Sequence, residues 1–314
     1  MKDYYIKECD RVCNRFKKAD FSFALAADSH LDNSICDTLE NIKAVDGKVG
    51  FDCLIHLGDF MNGNLPKGYT EMLLGGQTEL WRAAVNAPFY PAEGNHDGYT
   101  ENGVNDMATD EVWCGATKYL DDDGRVTRPC GKPYYYVDFE DKKNRLVFIC
   151  SFYYEWKDGA FDKKYGISEG QAEWLKNEGF NAPCGWTVMV FSHDTPFNDY
   201  FSPISEDNQR INGYAAFRAL SDNSEKNGFT VAAWFLGHEH GDYSGRISGV
   251  NFIMTTCETA YVPSLWPMVG DGVFPERKLG TVTEDAWDAV SIDTNERKIH
   301  MVRFGAGDDR EISY

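Results

Sequence analysis

The chain has 314 residues, 42% of them hydrophobic, and carries 31 Lys and Arg against 50 Asp and Glu, a formal net charge of -19. A mean field of that sign repels polyanions, so DNA, RNA and anionic membranes are disfavoured as partners. No apolar run approaches the roughly 20 residues that cross a bilayer, so no transmembrane helix is expected.

The first twenty residues stay charged from Lys2 through Asp20, without an apolar stretch before a small-residue cleavage site. The nine cysteines form no Cys-x-x-Cys pair, and Cys53 and Cys150 lie within apolar runs, which suits reduced, buried thiols. Both features point to a cytoplasmic protein. Short apolar runs at 23–27, 53–57 and 87–91 read as strands, and the patterns at 37–44 and 70–85 between them read as helices. In such β-helix-β alternation the crossovers are right-handed and ligands gather beyond the carboxyl ends of the strands.

The polar stretch 98–133, with its acidic run Asp121-Asp122-Asp123, reads as an inserted, irregular loop region that frames a pocket. Strands at 134–139 and 145–151 then form a hairpin across a charged turn. Ser168, with Gln171 three positions on, reads as the N-cap of a helix. Buried-type strands are expected at 188–192 and 231–236. The runs 250–256, 289–292 and 298–304 read as antiparallel strands closing a second sheet, followed by a flexible tail. Arg303 and Arg310 are candidate phosphate contacts. Tyr99, Trp113, Tyr153, Tyr154 and Trp156 are candidates either for a substrate pocket or for ordinary core packing.

Five polar signatures interrupt this pattern in fixed order: Asp28-Ser29-His30, Gly58-Asp59, Gly94-Asn95-His96-Asp97, Ser192-His193 and Gly237-His238-Glu239-His240. They hold five of the 7 histidines, leaving only His56 and His300, which read as ordinary strand residues. Imidazole and carboxylate together bind Mn, Fe or Zn well, and a bridging carboxylate can hold two cations about 3.5–4 Å apart. In Asp-x-His at a strand end, residues i and i+2 point the same way and can grip one ion.

This ordered set resembles that of the calcineurin-like metallophosphoesterase superfamily, over the span from Asp28 to His240. The resemblance implies an α/β fold, a four-layer αββα sandwich of two mixed sheets with a dinuclear metal site at the strand ends. The whole chain, 1–314, is expected to form one such domain, with a core at 20–260, the insertion at 98–133 and C-terminal strands and tail at 286–314. It further implies Asp28, His30, Asp59 and His240 on one metal, and Asp59, Asn95, His193 and His238 on the other. Asp59 would be the bridge, and Glu239 would point away.

The implied cofactors are two divalent ions, whether Mn, Fe, Zn or Ni, and the implied nucleophile is a bridging hydroxide. His96, not a ligand in the family pattern, would protonate the leaving oxygen or bond the phosphoryl group. Asn62, three residues after Asp59, stands where related phosphoprotein phosphatases carry an Asp that orients this histidine. Its amide can still bond His96, and it is the second candidate catalytic residue. The Asp-Arg-Gly of those phosphatases is missing, since the chain continues Gly63-Asn64-Leu65. The expected function is metal-dependent hydrolysis of a small phosphomonoester or phosphodiester. The sequence leaves open a cyclic-nucleotide or phospholipid-headgroup diesterase, or a non-catalytic scaffold that keeps its metals for stability.

Overall fold

Alternating apolar and helical patterns become two mixed sheets, stacked face to face with helices on both outer sides. This computed structural model describes residues 1–31, 34–157, 160–200, 202–259 and 272–314. From the N-terminus, α1 (Asp3–Arg15) leads to β1 (Phe21–Ala26), α2 (Ile35–Val49), β2 (Cys53–His56), α3 (Lys67–Ala84) and β3 (Phe89–Pro91). The hairpin β4 (Tyr99–Glu101) and β5 (Val104–Met107), then α4 (Asp110–Ala116) and β6 (Val126–Thr127), complete the first half. Next come β7 (Tyr135–Phe139), β8 (Asn144–Ile149), a second hairpin of β9 (Phe152–Lys157) and β10 (Ala160–Tyr165), and α5 (Glu169–Trp174). After β11 (Thr187–Ser192), α6 (Gly213–Asn227) and β12 (Thr230–Leu236), the chain ends in β13 (Tyr243–Ile247), β14 (Val250–Met254), β15 (Ala286–Asp293), β16 (Lys298–Gly305) and β17 (Arg310–Ser313).

The first sheet has the order β17-β16-β15-β1-β2-β3, the second β13-β14-β12-β11-β8-β7-β6. Strands β1, β2 and β3 run parallel, as do β8, β11, β12 and β14, so both sheets carry parallel centres with antiparallel flanks. All six residues of β1 are buried, as a parallel strand covered on both faces should be. Phe21, Phe23 and Leu25 enter the core between the sheets, where they meet Phe191 and Phe235; Ala24 and Ala26 face the layer of α1, α2 and α3. Val188, Val190 and Trp234 turn to the opposite layer, packed with Leu220 of α6. Phe148, Phe191 and Phe235 stack across adjacent strands at 5.0 and 5.1 Å. Trimming any of these to Ala would cost about 3–5 kcal/mol. No helix among the described residues is long and apolar enough to cross a membrane.

Several expectations need correction. The 98–133 stretch is ordered: it contains β4, β5, β6 and α4, whose N-cap Thr109 accepts from Val112 N–H. Strand β14 does not join β15 and β16 but lies parallel to β12 in the second sheet, whereas β15 pairs antiparallel with β1 in the first. The tail is pinned too, because β17 pairs antiparallel with β16. Ser168 does cap α5, accepting from Gln171 N–H, as its sequence suggested.

Candidate metal centre

Each signature follows a strand end on the same side of the sandwich: β1 delivers Asp28 and His30, β2 Asp59, β3 Asn95 and His96, β11 His193, and β12 His238 and His240. Topology therefore gathers residues that are far apart in sequence. Donor atoms of Asp28, His30 and His240 lie within 4.8 Å of one another, and so do those of Asp59, His193 and His238. Asp59 Oδ2 lies 3.1 Å from His193 Nε2 and 3.8 Å from His30 Nε2, so it stands between the two groups. His30 Nε2 and His240 Nε2 face each other at 3.1 Å, and His238 Nδ1 faces His193 Nε2 at 3.2 Å.

Turning the chain so sharply requires unusual backbone. Asp28, His30, Asp59, His238 and His240 all have positive φ, between 47° and 73°. Such left-handed conformations in non-glycine residues cost of order 1 kcal/mol or more each, and they cluster where function demands them. The glycines of two signatures serve contact between loops instead. A Cβ on Gly58 would lie 2.4 Å from Gly94 N, and one on Gly94 would lie 2.0 Å from Asp59 N. The GD and GNHD loops can interlock only without those side chains.

Asp97 ties the same two loops together. Its carboxylate accepts backbone N–H bonds from Asp59, Phe60, Met61 and Gly94 at 2.6 to 3.1 Å. His56, read as an ordinary strand residue, supports the loops as well: its ring pairs with Ser29 Oγ at 2.8 Å, accepts from Gly58 N–H and stacks on Phe60. Burial pushes its imidazole down to about 3, so it serves as a neutral hydrogen-bonding group.

The carboxylates set the electrostatics. Asp28 and Asp59 are 0% and 1% exposed. Burial opposes charge on His193, yet Asp59 and Asp28 beside it raise that imidazole to about 10. Burial likewise favours neutral Asp59, yet the surrounding histidines hold it well below the usual carboxylate range. Burial lowers His30 and His238, leaving their ring nitrogens available as neutral ligands. Asn95 Oδ1 is buried and has no hydrogen-bond partner among the described residues. A buried carbonyl oxygen without a donor is costly, and a cation would satisfy it. Carboxylates, imidazoles and this amide oxygen together match the donor set of borderline divalent metals.

His96 sits at the rim. Its Nδ1–H donates to Asp106 Oδ1 at 2.8 Å, and its backbone N–H donates to Asp59 Oδ1 at 2.7 Å. Burial disfavours the imidazolium, but Asp106 and Asp59 outweigh it and raise the His96 pKa above its ordinary value. Asn62 does not take the expected part, because it is exposed and its amide donates to His30 O at 2.9 Å. Asp106 holds the histidine instead. It comes from β5, inside the region read as an irregular loop, and no signature in the sequence marked it.

A third group, Asp194, His238 and Glu239, also brings donor atoms within 4.8 Å. Arg210 Nε lies 3.3 Å from Asp194 Oδ2, so a cation already faces that carboxylate. Arg303 and Arg310 are not phosphate contacts. Arg303 is fully buried and bonds Asp288 and Asp242, while Arg310 Nη2 donates to Asp288 at 3.0 Å. His300 is half-buried, with Nδ1 at 3.0 Å from Glu311. Tyr99 and Trp113 belong to the core, whereas Tyr153 and Tyr154 line a cavity of about 330 Å³ beside Glu93. The Trp156 side chain lies outside the described residues.

Comparison with known proteins gives a family and a shared fold. The family model described as Calcineurin-like phosphoesterase matches residues 21–242. Among solved structures, a dimetal phosphatase from Danio rerio is similar with a TM-score of 0.55 and 14% identity, covering 95% of this chain and 100% of that one. TT1561 of Thermus thermophilus gives a TM-score of 0.47 at 9% identity over 90% of this chain and 97% of that chain. GAP50, the anchor in the inner membrane complex of Plasmodium, gives 0.47 at 12% identity over 86% and 84%. The first likeness shows a shared fold. No curated protein matches the chain.

Proposed function

The chain belongs to the calcineurin-like phosphoesterase family and is a metal-dependent phosphoester hydrolase; from that premise we propose that it acts on a small phosphoester at a centre of two divalent cations. Asp28, His30, Asp59 and His240 would hold one ion, and Asp59, Asn95, His193 and His238 the other. The observation that carries this reading is the orphaned Asn95 Oδ1, buried beside two groups of converging carboxylate and imidazole donors. Cations bound there supply Lewis-acid polarisation of the phosphoryl group and activation of a water nucleophile near neutral pH.

The remaining work falls to the chain's own residues. With Nδ1–H held by Asp106, His96 keeps Nε2 for the substrate, and Asp106 and Asp59 favour the protonated ring against its burial. A protonated imidazole in that position donates to the departing oxygen as general acid, a contribution of about 10²–10⁴-fold. Asp106 fixes the tautomer and stabilises the imidazolium. Asp97 and His56 keep the ligand-bearing loops in place.

The test is hydrolysis of p-nitrophenyl phosphate and bis-p-nitrophenyl phosphate, after stripping metal and restoring Mn²⁺, with His96→Ala as control. Turnover that requires Mn²⁺ and falls about 10²–10⁴-fold in the variant, at unchanged metal content, supports the reading. A protein that binds its metal and turns over neither ester would be a metal-stabilised scaffold.

A further inference from the structure

The hairpin of β9 and β10 sets a lysine beside the centre. Tyr154 pairs with Lys163 and Phe152 with Tyr165, so these four side chains share one face of the hairpin. That face is turned towards the signatures. Tyr154 OH donates to Asp106 O, the Tyr165 ring lies 6.1 Å from the His238 ring, and Lys163 Nζ donates to Asn95 O at 3.2 Å. The lysine is half-buried, with its ammonium 5.2 Å from the Tyr165 ring centre and 5.7 Å from that of Phe152. Among the described residues no carboxylate pairs with it, although Asp106, Asp59 and Glu93 act on it electrostatically. Arg210, the other cation near Tyr165, is committed to Asp194.

A half-buried ammonium without an ion pair is costly unless a ligand completes it. Its three donors include one on a backbone carbonyl, which leaves two for another acceptor. The anion that belongs at this centre is a phosphoryl group. We propose that Lys163 binds a terminal phosphoryl oxygen of the substrate and makes the site selective for phosphomonoesters over phosphodiesters. A monoester is largely dianionic at neutral pH and has three terminal oxygens; a diester is a monoanion with two. Beside a centre whose cations would take terminal oxygens, a further ammonium rewards the additional oxygen and charge that only the monoester carries. Lysine suits this task as a compact point charge.

This inference rests on the proposed function, and its test separates the two. Orthophosphate binding to the Mn²⁺-loaded protein is measured by calorimetry for wild type, Lys163→Gln and Lys163→Arg, alongside metal content and kcat/KM on both p-nitrophenyl esters. The glutamine variant should bind phosphate about 10- to 100-fold more weakly at unchanged metal content. Its kcat/KM should fall at least about tenfold further for the monoester than for the diester, and arginine should restore most of the difference. Unchanged phosphate affinity, or equal losses on both esters, would overturn the role of Lys163. If wild type turns over neither ester, the proposed function fails, and the phosphate affinities alone decide the lysine.

Discussion

Two clusters of internal charge lie close together in this fold, and what faces their carboxylates differs. Around Asp242 and Asp288, Arg303 donates to both carboxylates through Nε, Nη1 and Nη2 at 2.6 to 3.0 Å, and Arg310 adds a further bond. That cluster is closed by its own arginines. Around Asp28 and Asp59 the partners are histidines whose nitrogens face one another, with the oxygen of Asn95 left over. One set of acids has permanent cations built into the sequence; the other has ligands that accept a cation from outside. Burial of charge alone does not distinguish structure from function, whereas the source of the compensating charge does.

The comparison breaks most directly at Asp59. Asp59→Asn should lower Mn²⁺-dependent ester turnover by at least about 10³-fold, some 4 kcal/mol of barrier. The same change should lower the thermal midpoint of the metal-free protein only slightly, since His193 can shed the proton that Asp59 holds on it, as an arginine cannot. A large loss of metal-free stability would show that the centre holds the fold together. Arg303→Met should do the reverse and cost about 3–5 kcal/mol in urea unfolding, because it strands two carboxylates. A loss under about 1 kcal/mol would mean that water or Arg310 closes that cluster equally well.

Asp106→Asn sharpens the contrast within the centre. It should reduce kcat about 10- to 100-fold while metal content stays intact, because it acts through the orientation of His96. A loss of metal in that variant would assign Asp106 to the ligand shell. The smallest effect concerns pH. Burial would raise the Asp288 carboxyl, but Arg303 and Arg310 hold it below its ordinary value. Its stabilising contribution is therefore complete above the unfolded pKa of about 3.9 and is lost as pH falls through the lower folded value. The gap in thermal midpoint between wild type and Asp288→Asn should be constant down to about pH 4 and narrow below it. A gap still constant at pH 3 would remove the ion pair as its cause.

Much of the centre was legible in the sequence because each signature directly follows an apolar run that forms a parallel strand. Asp28, Asp59 and His193 could be placed by that rule alone. Asp106 could not, since β4 and β5 are three and four residues long, too short for a periodic signal, and only the fold brings β5 to His96. The Arg303 network was hidden for a related reason. An arginine in an alternating strand reads as solvent-facing until a carboxylate on the neighbouring strand turns it inward. The position of β14 was misjudged because its run fits either sheet, and the parallel pairing with β12 depends on the preceding hairpin with β13. Asn62 was assigned by analogy of position, whereas the backbone turn at Asp59 points its amide at His30.

The place of β1 has a consequence for how the protein is made. It sits in the interior of its sheet, flanked by β2 on one side and by β15 on the other. On the ribosome, β2 and β3 emerge soon after β1, but β15 follows only after every strand of the second sheet has been made. Until then one edge of a strand that is fully buried in the finished fold stays unpaired, a template for the wrong neighbour. The nascent chain must therefore keep Phe21, Phe23 and Leu25 shielded through most of its synthesis. Truncated translation products of this protein should depend on chaperones far more than the finished chain does.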